Sequence, residues 1–129
     1  MTKVTRDGEG PPRIRDGGAV REVLDRIGDK WSLLVIGTLR SGPLRFGELE
    51  RAAGISQRML TLTLTRLVED GLVTRTAYAE VPPRVEYEVT ELGRSLVPLV
   101  MALAEWAMAN HERINAHRQR AQAGRPAPA

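Results

Sequence analysis

Apolar residues in the first third of the chain recur at helical spacing. They predict a first helix from residue 18 or 19 to residue 27, ended by Gly28. Residues 30–42 are apolar on nearly all sides, which predicts deep burial, with Asp29 as N-cap. Their length and the Gly42-Pro43 stop favour a helix over a buried strand. The apolar positions of the first helix are Val20, Val23, Leu24 and Ile27.

The next two predicted helices are separated by a glycine. One spans residues 45–52 and is followed by Gly54, and the other begins after the N-cap Ser56 and ends at Asp70. Within the second, residues 61–65 alternate with period two and are rich in threonine, as a strand would be. The wider window decides for a helix, because it contains no turn residue and its leucines are four and three apart. Those leucines are Leu60, Leu64 and Leu67.

A hairpin and a long helix are predicted to complete the fold. Strands at residues 72–78 and 84–89 flank a short loop that contains Pro82-Pro83. Thr90 caps the last helix, which runs to about Arg113, and Pro98 should kink it or mark a late start. In the second strand Val85, Tyr87 and Val89 are predicted to face inward, and Arg84, Glu86 and Glu88 outward. The last helix carries a heptad seam of Leu92, Leu96, Leu99, Leu103 and Trp106.

These elements predict a mainly α fold with a small β-hairpin. The order of helix, glycine turn, helix and hairpin is that of a winged helix-turn-helix domain, here placed at residues 18–113 with N- and C-terminal dimerisation helices. Residues 1–17 and 114–129 are rich in glycine, proline or charge and are predicted to be flexible arms.

The net charge and the counts of cysteine and histidine limit the partners and cofactors that the chain is expected to bind. The chain of 129 residues has a net charge of +3, which is compatible with a polyanionic partner, and no cysteine. Two histidines without a carboxylate cluster predict no metal site, and no cofactor is predicted.

No nucleophile–base pair, phosphate-binding glycine loop or group of converging carboxylates argues for an enzyme. No apolar run approaches the ~20 residues of a membrane span, and the N-terminus lacks a signal-peptide core, which predicts a cytoplasmic protein.

The helix-turn-helix segment carries the functional prediction. Leu49, Ala53, Ile55 and Leu60 are predicted to form the small core that fixes the angle between its helices. The outward residues suit contact with double-stranded DNA, since glutamine can read adenine, arginine can read guanine, and threonine can reach phosphate or a thymine methyl. The predicted DNA-binding residues of this helix are Ser56, Gln57, Arg58, Thr61, Leu62 and Thr65. In the hairpin, Arg84 beside the diproline and Arg75 on the other arm are predicted to contact the minor groove or flanking phosphates.

Six blocks of sequence, in order, resemble the HxlR-type family of winged helix-turn-helix regulators. They are IGDKW (27–31), GPLRFGEL (42–49), GISQRML (54–60), DGLVTR (70–75), PPRVEYEVTELG (82–93) and the late Trp106. The resemblance implies a transcriptional regulator whose homodimer, built from the first and last helices, binds a palindromic operator. The unpartnered heptad seam supports a dimer independently, although it could instead pack on the chain's own second helix. The predicted interface residues are Val20, Leu24, Leu92, Leu96, Leu99, Leu103 and Trp106.

One departure from the family limits what carries over. Several members sense oxidants through a cysteine just ahead of the first helix, where this chain has Gly18 or a neighbour, and thiol sensing is therefore excluded. A small-molecule effector, the operator and the sign of regulation stay open. The alternative function is a winged-helix protein-interaction module that does not bind DNA. Acidic side chains on the exposed helix face would favour that alternative, and residues 56–65 have none.

Overall fold

A computed structural model describes residues 17–125 of the chain. The predicted N-terminal arm, apart from Gly17, and the last four residues of the predicted tail lie outside this range. The helices are α1 (Gly17–Ile27), α2 (Lys30–Thr38), α3 (Phe46–Ala53), α4 (Gln57–Glu69) and α5 (Glu91–Ala123), and a 3-10 turn (Leu39–Ser41) follows α2. The strands are β1 (Leu44–Arg45), β2 (Val73–Tyr78) and β3 (Arg84–Val89). The predicted mainly helical fold with a small hairpin is confirmed.

Side-chain caps start the helices where the sequence predicts them. The Asp29 carboxylate accepts hydrogen bonds of 2.9 Å from the backbone N–H groups of Trp31 and Ser32 and from the Ser32 hydroxyl. Burial raises the pKa of Asp29, but these hydrogen bonds outweigh it and hold the pKa below its ordinary value. The Ser56 hydroxyl accepts from the N–H of Met59 at 3.2 Å and so caps α4.

The core lies around α2 and the inner face of α4. Leu60, Leu64 and Leu67 are buried, and this confirms that residues 61–65 belong to a helix and not to a strand. Helix α2 packs on α3, α4 and α5, which explains why it is apolar on nearly all sides. The buried apolar side chains are Val35, Ile36, Leu39, Leu49, Ile55, Leu60, Leu64, Leu67, Leu72, Val73, Val89 and Val100.

The sheet has one strand more than the predicted hairpin. β1 pairs antiparallel with β3 in the order β1-β3-β2, with Leu44 opposite Tyr87 and Arg45 opposite Glu86. This two-residue strand has no alternation of its own to reveal it. It joins the start of α3 to the hairpin and so fixes the helix-turn-helix against the wing.

Helix α5 is longer than predicted, and this corrects two expectations. It continues from Arg113 to Ala123, so residues 114–123 are helical and not a flexible arm. The segment contains alanine, arginine and glutamine and no glycine before Gly124, a composition that favours helix. The helix begins at Glu91, so Pro98 lies inside it and does not mark a late start.

By length and composition alone, α5 could cross a membrane, and it is the one such helix within residues 17–125. Its apolar side chains nevertheless form two stripes. Val97 and Val100 pack on the core, whereas Leu99 and Trp106 are more than half exposed. The exposed Glu105 shows that the helix is not apolar all round. We interpret α5 as an amphipathic helix that packs on the core along one side and exposes the other.

Among the glycines of residues 17–125, Gly93 is the one where an added Cβ would meet the closest backbone atom. A Cβ there would clash with the backbone carbonyl of Leu72, which also accepts a hydrogen bond from Thr90 at 3.0 Å. Gly93→Ala is therefore expected to lower the free energy of unfolding by about 1–3 kcal/mol, measured by urea denaturation. The matched control is Gly47→Ala in α3, where the nearest atom is the flexible end of Arg51 at 3.5 Å. The control should be neutral or stabilising, and equal losses in both variants would contradict the prediction.

Candidate nucleic-acid interface

A glycine sets the angle between α3 and α4. Gly54 adopts the left-handed conformation, with φ 64° and ψ 36°, and its N–H donates to the Glu50 carbonyl at 3.0 Å. Ile55 follows and is 3% exposed, so it anchors the turn in the core. The second helix begins two residues later, which gives the predicted helix-turn-helix.

Helix α4 is buried on one side and presented to solvent on the other. Thr63 and Leu64 lie inside, while Leu62 is 44% exposed although it is apolar. Arg58 is exposed, and the structure gives its guanidinium no hydrogen bond or ion pair within residues 17–125. All six predicted DNA-binding residues of the helix are exposed: Ser56, Gln57, Arg58, Thr61, Leu62 and Thr65.

The two threonine hydroxyls on this face already donate hydrogen bonds within the helix. Thr61 Oγ1 donates to the Gln57 carbonyl at 2.9 Å, and Thr65 Oγ1 donates to the Thr61 carbonyl at 2.8 Å. Their oxygens can still accept a hydrogen bond from a base amino group. A hydrogen bond to a phosphate would require the hydroxyl to rotate away from its own helix.

Arg75 lies beside α4 and not at the tip of the hairpin. It pairs with Tyr87 across the β2–β3 ladder, so both side chains belong to one sheet face. With Thr61 and Thr65 they line a groove between the sheet and α4. The structure therefore brings Arg75 together with the exposed face of α4.

Arg84 lies on the outward sheet face that the alternating pattern predicted, but it is not the free cation expected of a wing that contacts DNA. Its side chain is 26% exposed, and its guanidinium binds Glu80 at 2.7 Å and Glu86 at 3.0 Å. It also lies 4.0 Å from the centre of the Tyr78 ring, its partner across the two strands. Glu86, likewise predicted to face outward, is only 21% exposed in this cluster. The positive charge of Arg84 is thus neutralised by neighbours on its own sheet face.

The tip of the wing is apolar. Val81 is fully exposed between Glu80 and Pro82, and residues 79–83 contain no cation.

The predicted dimer residues lie mostly on the surface. Leu96 is partly buried against the core, whereas the other six are 39–66% exposed: Val20, Leu24, Leu92, Leu99, Leu103 and Trp106. Val23, 52% exposed on the same helix as Val20, extends this apolar surface beyond the predicted interface residues.

Metal-binding geometry is not found in the described part of the chain. Within residues 17–125, no three or more His, Asp or Glu side chains are grouped so that they could hold an ion. His111 and His117 lie exposed on the outer half of α5.

Comparison with known proteins gives consistent matches. The family model described as HxlR-like helix-turn-helix matches residues 26–115. An uncharacterized HTH-type transcriptional regulator of Methanothermobacter thermautotrophicus is 51% identical over 89 residues, 68% of each chain. The uncharacterized HTH-type transcriptional regulator YybR of Bacillus subtilis is 42% identical over 105 residues, which cover 81% of this chain and 84% of YybR. The solved structure of the redox regulator HypR in its reduced form has a TM-score of 0.70 and 42% identity, and covers 76% of this chain and 98% of HypR.

Proposed function

The chain belongs to the HxlR-like helix-turn-helix family, and we propose that it is a sequence-specific transcriptional regulator that binds a palindromic operator as a homodimer. Helix α4 enters the major groove and the wing lies at the minor groove. The observation that carries the proposal is Arg58, which is exposed and has no partner among residues 17–125, at the start of a helix whose opposite side is buried in the core.

Dimerisation is supported by apolar surface that one chain leaves uncovered. Helix α1 has no fully buried residue, and its contact with the core is through the partly buried Ile27 at its end, so its own chain covers little of its apolar surface. Leu99 and Trp106 are 66% and 56% exposed, so this part of the seam does not pack on α2. A second copy that covers α1 and α5 would bury both surfaces and place two α4 helices on one face of the DNA, about 34 Å apart.

The DNA partner is tested by selection from a random duplex library, followed by footprinting and binding at several salt concentrations. We expect a two-fold symmetric site and a log–log salt slope of about −0.9 per neutralised phosphate. Absence of any salt-sensitive retention of duplex DNA would instead favour the protein-interaction module. That alternative receives no support from the face of residues 56–65, which has no acidic side chain.

Regulation cannot use a thiol in this chain. HypR is a redox regulator, but this protein contains no cysteine, so no disulfide or sulfenic acid can form. We propose that it acts in the cytoplasm, has no catalytic activity and responds to a signal other than thiol oxidation, with a small-molecule effector left open.

The wing yields a prediction about charge. Glu80→Gln is expected to strengthen binding to the selected duplex by about three- to tenfold at low salt, because it removes an anion from the wing and releases part of Arg84. Fluorescence anisotropy with labelled duplex measures the change. The control is Glu112→Gln on α5, which alters the net charge equally and should leave affinity unchanged. Equal gains in both variants would show a general charge effect, and a loss in Glu80→Gln would mean that the ion pair itself shapes the wing.

A further inference from the structure

One ion pair joins α1 to the C-terminal end of α4. Arg26 Nε and Nη2 donate to the two carboxylate oxygens of Asp70, both at 2.9 Å, and Nη2 also donates to Glu69 at 3.2 Å. The partners are 43 and 44 residues apart in sequence. The two-point contact with Asp70 fixes the orientation of the guanidinium as well as its distance.

Helix electrostatics explain why α4 needs this cation. Glu69 and Asp70 stand at the C-terminal end of α4, where the helix dipole is negative and carboxylates are unfavourable. Arg26 contacts both carboxylates, and its single positive charge offsets about half of their combined negative charge. Hydrogen bonds to Asp70 and then to Glu69 raise the pKa of Arg26 further above its ordinary value, as expected for a guanidinium beside two carboxylates.

Arg26 therefore connects α1, the helix proposed to contact the partner chain, with α4, the helix proposed to contact DNA. Helix α1 has no fully buried residue, although Ile27 at its end is partly buried against the core, and it turns Val23 and Leu24 to solvent, toward the partner proposed above. Helix α4 presents Arg58 at its other end. A movement of α1 relative to the winged domain would pull on the end of α4 through this pair.

We propose that Arg26 is a positioning residue, which transmits the placement of the α1 dimer helix to α4 and so sets the spacing of the two recognition helices. The role rests on the proposed function. It assigns to Arg26 no contact with DNA and none with the partner chain.

The test compares Arg26→Gln and Asp70→Asn with Arg21→Gln, which removes the same charge from the exposed surface of the same helix. The probes are the tightest duplex selected by the wild-type chain and a scrambled duplex of equal length and composition. Arg26→Gln should weaken binding to the selected duplex at least about fivefold and to the scrambled duplex less than about twofold. Asp70→Asn should act in the same direction, and the double variant should bind no more weakly than Arg26→Gln alone. Arg21→Gln should keep the wild-type ratio of the two affinities.

Two further measurements keep this role separate from others. Sedimentation should show Arg26→Gln with the wild-type oligomeric state, and a dissociated variant would overturn the proposal by placing Arg26 in the interface. Equal losses on both duplexes would overturn it as well, since they indicate a general charge effect.

Hydrogen exchange provides a readout that needs no DNA. Amides of residues 66–70 should exchange faster in Arg26→Gln than in wild type or Arg21→Gln. If the wild-type chain selects no duplex, the regulator assignment fails, but faster exchange would still support the mechanical link between α1 and α4. Unchanged exchange in Arg26→Gln would reject the link whatever the DNA result.

Discussion

Arg58→Ala is expected to weaken binding to the selected duplex by about 5- to 150-fold, the loss of about 1–3 kcal/mol that a base-reading arginine supplies. Arg58 lies in the first turn of α4, is exposed, and has no protein partner within residues 17–125. A cation at the positive end of a helix dipole is unfavourable, and this first turn has no acidic residue to offset it. The same substitution should therefore leave the free energy of unfolding unchanged or slightly raised. Opposite effects on affinity and stability would mark a residue retained for binding.

The measurement is fluorescence anisotropy with the selected duplex and its single-base variants, paired with urea denaturation. Arg94→Ala, on the exposed side of α5, serves as the control for the loss of one positive charge. If Arg58 reads a base, affinity falls for the selected duplex, and discrimination at one base pair disappears. A uniform loss across all duplexes would make Arg58 a phosphate contact. An unchanged affinity would remove the main support for the recognition helix.

The helices of this fold were predictable because local signals agree with one another. Apolar residues of α1 and α4 recur at intervals of three and four residues. The glycine that ends α3, Gly54, is followed two residues later by Ser56, which caps the start of α4. The choice of helix for residues 61–65 was correct because burial follows the wider leucine spacing. The sequence predicts too early an end for α5, because residues 114–123 are strongly charged and polar and stand directly before glycine and proline.

Side-chain pairing explains most of what the sequence did not reveal about the site. Alternation assigned Arg84 to the outward sheet face correctly, but Glu86 shares that face and the loop returns Glu80 to it. A periodic pattern identifies a face and not the partners on it. The link between Arg26 and Asp70 spans 44 residues and leaves no local trace, so only the packing of α1 beside the end of α4 makes it visible.

The exposed faces of α1 and α5 allow a strong test of the dimer. Leu99→Glu is expected to convert the protein to a monomer of about 14.3 kDa while its helical circular dichroism persists, because Leu99 is 66% exposed and contributes little to its own chain's core. A glutamate in an apolar interface must be desolvated without a partner, which opposes association.

The loss of the dimer in Leu99→Glu should lower the affinity for the operator at least about 100-fold, because the two half-sites are no longer bound by one assembly. The matched control is Met108→Glu, which adds the same charge to a more exposed apolar position on the opposite side of α5. Sedimentation of this control should match wild type, and its operator affinity should fall less than about threefold. If Leu99→Glu stayed dimeric, the interface would lie elsewhere. If Leu99→Glu became monomeric with full operator affinity, one recognition helix would suffice for binding, and the two-helix geometry would have to be abandoned.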